Sequence, residues 1–261
     1  MPCDAELFSF ESESLFLRAS LVPWDSEVLH FPVAHIEKIK ISSRKNLKDH
    51  FKRFTTWRND KKCRMVSARL HHNQLVESMF LENNGFKFID VILHPKLEKL
   101  QSLDIPDQGL KIQTFSPNDM PEVRNIAESA FHFERFHTDP RIGAKFGNLR
   151  YGRWVDNLPS VPKQEIVTIW YNNLLLAFFV FEKKDSDSIY WHLTAVAPEQ
   201  QGKGLGRRAW LAMLAYHKKQ GCNVVSTAIS SQNIRVLNLY ASLNFRFQTS
   251  EMTLHWMGKL L

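Results

Sequence analysis

The chain has 261 residues, 44 % of them hydrophobic, with 19 Phe and 7 Trp, enough apolar side chain for one large core or two smaller ones. A formal charge of +7 and a pI near 9.3 suit a polyanionic ligand, nucleic acid among them. Three isolated cysteines, Cys3, Cys63 and Cys222, form no C-x-x-C pair and argue against a zinc site or a disulfide framework. No apolar run approaches the ~18 residues of a membrane helix, and acids stand where a signal peptide would carry bases. The expected setting is therefore the cytoplasm, with reduced thiols, no metal and no membrane.

In chain order the patterning predicts strands over 15–22 and 33–41, a helix over 46–57, a strand over 63–70, a helix over 73–83 and a strand over 86–93. Positive charge is densest from Lys38 to Lys62 and reads as a solvated helix face. Residues 95–109, punctuated by Pro106 and Gly109, read as a linker. A strand over 110–115, helices over 118–130 and 142–158, and strands over 164–171, 174–182 and 188–197 follow, with Asn172-Asn173 as a hairpin turn. A glycine-rich turn, a helix, a strand, a helix from Asn233 and a last strand complete the order. Gln74 to Phe88 echoes Asn233 to Phe247: setting Gly85-Phe86 on Asn244-Phe245 puts Leu81 against Tyr240. The echo marks either two related halves or two helices that each end in Gly or Asn before a strand.

The stretch Gln201-Gly202-Lys203-Gly204-Leu205-Gly206 follows the apolar run 189–197 and opens the helical run 209–219. Strand, glycine turn and helix in that order make an anion cradle, with Lys203, Arg207 and Arg208 adding charge. Pyrophosphate is the guest this chemistry suits. The spacing is not that of a dinucleotide fingerprint, and no acid follows in 223–227; nor is it a Walker loop. The pattern Q-x-x-G-x-G resembles the acyl-CoA loop of the GNAT superfamily of N-acetyltransferases. Asn233 to Phe245 resembles the later helix of the same superfamily, with Asn244 in place of the usual glycine. Asparagine tolerates that left-handed position. The resemblance implies an α/β (α+β) GNAT fold, a mixed and mostly antiparallel sheet flanked by helices. It further implies a partial, degenerate GNAT-like domain over 1–100 and a catalytic domain over 109–261.

Three further segments, Pro23–Glu27 leading to Phe31–Ala34, Phe131 with Glu134–Pro140, and Tyr151–Trp154, resemble the nucleotide-sugar N-acyltransferase branch, the dTDP-fucosamine acetyltransferases included. That branch implies transfer of an acetyl or small acyl group, hydroxybutanoyl for example, from acyl-CoA to the amine of a dTDP-linked amino sugar, in surface polysaccharide biosynthesis. Tyr240 is then the general acid for the thiolate. The donor would be held by Leu193, Thr194, Ala195 and Val196, by Gln201, Gly202, Lys203, Gly204, Leu205, Gly206 and Arg207, and by Asn233 and Asn238. An amide near Ala195 to Ala197 would serve the developing oxyanion. Strand alternation puts Trp191, Leu193 and Ala195 on one face and His192, Thr194 and Val196 on the other. His192 is the candidate base or a structural histidine. Arg135, His137, Asp139, Arg150 and Trp154 are the expected acceptor-site residues. Another amine acceptor (polyamine, antibiotic or protein) and a non-catalytic CoA-binding module remain as alternatives; a nucleic-acid partner is not expected, and a homo-oligomer is compatible.

Overall fold

The computed structural model describes residues 7–258; Cys3 lies outside them. Short alternating runs give strands β1 (Leu7–Glu11) and β2 (Leu15–Leu21). Helix α1 (Pro23–Leu29), strand β3 (Val33–Ile41), helix α2 (Leu47–Asp60), strand β4 (Met65–His71), helix α3 (Leu75–Asn83) and strand β5 (Phe86–Leu97) follow. After β6 (Lys111–Thr114) come α4 (Met120–Ala130), the single turn α5 (Arg135–Thr138) and α6 (Ala144–Asn157). Strands β7 (Gln164–Tyr171), β8 (Leu174–Lys183) and β9 (Ser188–Val196) lead to α7 (Leu205–Lys219). The chain closes with β10 (Val224–Thr227), β11 (Ile229–Ser230), α8 (Ile234–Ser242) and β12 (Arg246–Met257). The fold is of the mixed α/β kind, with mostly antiparallel strands flanked by helices.

The contacts divide the chain into two compact units: residues up to Val91 with those from Ser250 onward, and Ile92–Thr249. In the first, β1, β2 and β3 pair antiparallel, β3 pairs parallel with β4, and β4 pairs antiparallel with β12. In the second, β6, β7, β8 and β9 pair antiparallel, β9 pairs parallel with β10, and β10 pairs antiparallel with the end of β5. The senses from β7 onward repeat those of the first unit. The repeat includes an irregularity. Glu37 is skipped in the β2–β3 register directly after the last β3–β4 pair, Ile36–Ala68. His192 is skipped in the β8–β9 register directly after the last β9–β10 pair, Trp191–Thr227. The closing strands are exchanged along the chain: β5 follows α3 yet pairs with β10, and β12 follows α8 yet pairs with β4.

Three differences from the sequence expectation have local causes. The edge strand β1 and the short helix α1 were not expected; α1 has Pro23 in its first turn and stops at His30, in the left-handed conformation at φ 60°. Strand β5 runs through Pro95 into the expected linker. Pro95 falls between the pairs made with β11 at Ile92 and Leu93 and those made with β10 at Lys96 and Leu97, so its missing N–H removes no bond there. Helix α7 starts at Leu205, inside the glycine stretch.

Alternation along β8 sorts the second unit's core into two sides. Phe179 and Phe181 join Leu205, Ala209, Trp210, Met213 and Tyr240, from α7 and α8. Phe178 and Val180 join Val123, Ile126, Tyr151 and Val155, from α4 and α6. These four aromatic and aliphatic side chains of β8 are sealed from solvent, and each contributes roughly 1.5–3 kcal/mol by burial.

Candidate active site

The extra residue in β9 decides which side chains meet. Without it, His192 would stand opposite Phe181 on the α7 side, and Trp191 opposite Glu182. With it, Trp191 pairs with Phe181 and enters the α7 core, where its indole N–H donates to His217 Nε2 at 3.0 Å. His192 instead lies beside Glu182, Nε2 to Oε2 at 2.9 Å, with the Tyr190 ring edge-on at 4.8 Å. The strict alternation expected for 191–196 therefore fails at this point. Trp191, Thr194 and Val196 face the α7 side, while Leu193 and Ala195 face α4 and α6.

Beyond Trp191–Thr227, β9 loses its parallel neighbour, because β11 pairs with β5 instead. Residues 192–196 thus pair only with β8, and the amides that point to the other edge have no strand partner. The Ala197 N–H is not among them, since it donates to Leu176 O at 2.9 Å. At the mouth of this opening the Thr227 hydroxyl donates to Trp191 O at 2.8 Å.

The glycine turn sits at the far end of β9. Gly202 and Gly204 have φ of 79° and 76°, a region that a side chain disfavours, and a Cβ on either would meet no protein atom within 4 Å. Gly204 is the N-cap of α7 and supplies no side chain, so the first-turn amides are not capped by one. Gln201 ties the turn to the strand, its amide donating to Val196 O at 3.1 Å. Lys203 and Arg207 are exposed and Leu205 is buried. Arg208 is turned away to the Gln108 carbonyl and the Tyr171 ring, 5.0 Å from its centroid; it adds little to the cradle.

Helix α8 carries Tyr240. Asn233 caps its start, accepting the Val236 N–H at 3.3 Å, and Asn238 is exposed. At the other end Asn244 takes φ 64°, Phe245 N donates to Tyr240 O at 3.0 Å and Asn244 N to Ala241 O at 3.1 Å. This Schellman closure fixes the Tyr240 backbone. The phenol is 2 % exposed and packs against Phe245 and Trp210. Burial raises its pKa, opposed in part by the polar groups of Trp210, Thr194 and Thr227 around it.

On the α4–α6 side, Phe131, Tyr151 and Trp154 form a row of near-parallel rings. The Arg135 and Arg150 guanidiniums lie 5.0 and 5.4 Å from the centroid of one ring, Phe136. Glu134 accepts the Phe136 N–H at 2.8 Å. Burial works against its charge, but His137, Arg150 and Arg135 outweigh it and hold its pKa down. The His137 side chain is 4 % exposed, with Nε2 at 2.7 Å from Asn148 Oδ1 and Nδ1 at 3.3 Å from Glu134. Its ring touches Gly147, where a Cβ would come within 2.2 Å. Asp139 is fully buried and grips Arg141 through two 2.8 Å bonds. Asp139 and His137 therefore shape the loop from within it, whereas Arg135, Arg150 and Trp154 are only partly buried. Sequence reasoning passed over Glu134, Glu182, Gly147 and Thr227; the first stood inside a quoted segment, while the other three act through pairings no local pattern reveals.

Among the described residues no cluster of three or more His, Cys, Asp or Glu could hold a metal, and no helix is long and apolar enough to cross a membrane. Cys63 and Cys222 are free and buried, and burial pushes the Cys63 thiol up to about 11.

Residues 120–245 match the model of the acetyltransferase (GNAT) family. The chain is 19 % identical over 237 residues to the spore coat polysaccharide biosynthesis protein SpsD of Bacillus subtilis (strain 168), covering 90 % of this chain and 82 % of that one. Among solved structures, a conserved protein of unknown function from Staphylococcus epidermidis superposes with a TM-score of 0.67 at 12 % identity, covering 98 % and 95 %. A tandem GNAT protein from the clavulanic acid biosynthesis pathway gives 0.59 at 13 %, covering 95 % and 80 %. The segment that holds the parted β9 edge, the glycine turn and the α8 phenol thus belongs to the acetyltransferase (GNAT) family, whose members draw their acyl group from acyl-CoA.

Proposed function

We propose that this chain moves an acetyl or other short acyl group from acyl-CoA to the amine of a nucleoside-diphosphate-linked amino sugar, a dTDP sugar in particular. The observation that carries the reading is the unpaired β9 edge over 192–196, which has the buried phenol of Tyr240 at one end and the uncapped glycine turn at the other. The donor's thioester supplies an activated acyl carbon and a thiolate leaving group. Main-chain amides beyond Gln201, from Gly202 through Arg207, receive the diphosphate, helped by the Lys203 and Arg207 charges. The open edge of Leu193, Thr194, Ala195 and Val196 hydrogen-bonds the amide-bearing arm, with Asn233 and Asn238 beside it. An outward amide of the same edge stabilises negative charge on the carbonyl oxygen. His192 Nδ1 takes the proton the amine gives up as its C–N bond forms, and Tyr240 gives its proton to the sulfur as the C–S bond breaks.

For the acceptor, Arg135 and Arg150 offer two guanidiniums to a diphosphate, and Trp154 offers a face to a base or sugar. Asp139 and His137 support that loop. The naming of the Bacillus subtilis relative for polysaccharide biosynthesis favours a sugar. We read the first unit as a degenerate, partial copy of the second, without donor binding. Its helix α2 is entered through Asn46 at φ 52° with no glycine turn before it, and buried Leu81 stands where α8 has the phenol. The setting we propose is cytoplasmic. The test is to incubate the protein with acetyl-CoA and longer acyl-CoAs against dTDP-amino sugars, polyamines and aminoglycosides, following free thiol. Release with the amino sugars supports the reading; release with polyamines alone, or CoA binding without release, overturns it.

A further inference from the structure

We infer that Glu182 is the positioning residue for His192, held in place by Lys184, and that this carboxylate sets which imidazole nitrogen faces the incoming amine. The inference rests on the reading of His192 as base. The Glu182 Oε2 atom lies 2.9 Å from His192 Nε2 and 2.7 Å from Lys184 Nζ. An ionised carboxylate only accepts, so the proton of the neutral ring sits on Nε2 and Nδ1 keeps its lone pair. Nδ1 has no hydrogen-bond partner among the described residues. The two side chains are 18 % and 19 % exposed, neither sealed in nor fully solvated, so an amine can reach the ring without the pair dissolving into bulk water.

Glu182 stands opposite Tyr190, and His192, two residues further along β9, lies on the same side. The bulge leaves His192 without a partner of its own on β8. The equivalent bulge of the first unit holds Glu37 instead, bound to Ser20 at 2.7 Å and to Arg18 at 2.7 Å, with no imidazole in that position. The charged and titratable neighbours of His192 are Glu182, Lys184 and Tyr190, and the first two act with opposite signs. Burial lowers the His192 pKa, Lys184 lowers it too, and Glu182 raises it.

The test uses the full-length protein with ¹⁵N-labelled histidine, titrated by long-range ¹H–¹⁵N correlation, in the wild type and in Glu182→Gln, Lys184→Gln and His192→Gln; the last variant assigns the signal. The expected wild-type spectrum shows Nε2 protonated in the neutral ring. Glu182→Gln lowers the His192 pKa and mixes the two tautomers; Lys184→Gln moves the pKa the other way. With acetyl-CoA and a dTDP-amino sugar, the acid limb of kcat/KM follows the same two directions, and Glu182→Gln loses about 10-fold at neutral pH. Any charged neighbour shifts an imidazole pKa, so the readout that a merely structural contact would leave unmoved is the acid limb of kcat/KM. Identical titrations in the wild type and both partner variants overturn the inference. If His192→Gln loses activity while the acid limb stays fixed in Glu182→Gln and Lys184→Gln, the positioning role alone falls. If His192→Gln keeps full kcat/KM, the base role falls and takes the positioning role with it.

Discussion

Replacing Tyr240 by Phe removes one hydroxyl and leaves the ring where it is. The ring contacts at 4.8 Å to Phe245 and 6.4 Å to Trp210 do not involve the oxygen, and the Schellman closure uses only backbone atoms. Thr227 keeps its own bond to Trp191 O, so that hydroxyl is not orphaned. The stability cost is one net hydrogen bond, about 1 kcal/mol, which lowers Tm by roughly 2–4 °C for a domain of this size. A general acid is worth far more: about 100-fold in kcat, or about 2.7 kcal/mol, is the least that should be lost. The pH profile separates the two roles. Burial holds the phenol pKa above its ordinary 10, so Tyr240 keeps its proton through the neutral range. Its alkaline limb lies above pH 10 in kcat/KM, and the Phe variant should lack it. The sign for stability agrees: the folded pKa is the higher one, so the stabilisation is complete below the unfolded value and fades as pH rises through the folded value. The assay is thiol release at saturating donor, alongside calorimetric CoA binding and a thermal melt. A Phe variant that binds CoA and turns over at the wild-type rate would refute the reasoning.

His217 is fully buried, and burial drives its pKa down to about 4. The folded value lies below the unfolded 6.5, so stability is complete above pH 6.5 and about 3 kcal/mol of it drains away as pH falls toward 4. Urea denaturation of the wild type and His217→Gln at pH 7 and 4.5 should show the variant less pH-dependent; equal dependence would exclude His217 as the cause. Gly204→Ala adds a methyl that meets no protein atom, so its folding cost is the left-handed backbone alone, about 1–2 kcal/mol; CoA affinity measured by calorimetry should fall well beyond that. Gly147→Ala drives a methyl into the His137 ring and should cost about 1–3 kcal/mol in a thermal melt while leaving CoA affinity unchanged. Asn244→Gly should melt within about 0.5 kcal/mol of the wild type, and Asn244→Val should lose about 1–2 kcal/mol, because a branched side chain cannot rest at φ 64°.

The second unit's elements were legible because each announces itself locally. Asn172-Asn173 marks the β7–β8 hairpin, with both residues at positive φ. Asn233 and Asn244 bracket α8, and Gly202 and Gly204 carry the turn into α7. What stayed hidden depends on partners far along the chain. A bulge adds no residue type of its own, so alternation counted through His192 assigns the wrong faces on either side of it. Arg208 reads as a phosphate ligand beside Lys203 and Arg207, yet Gln108 and Tyr171, remote in sequence, claim its guanidinium. Asp139 looks like an exposed acceptor group until Arg141, two residues on, folds back on it. Pro95 suggests a break, and only the gap between two pairings makes it harmless.

The exchanged closing strands bear on how this molecule comes into being. A ribosome releasing the chain from its N-terminus has made β1 to β4 early, but the strand that completes their ladder is specified by residues 251–257, near the end of synthesis. The nascent first unit must wait with the β4 edge bare, exposed to stray strands and to chaperones. A clone cut at the apparent linker would inherit the same defect: a fragment beginning at Gly109 lacks residues 92–97 and leaves Val225 and Ser226 paired on the β9 side alone.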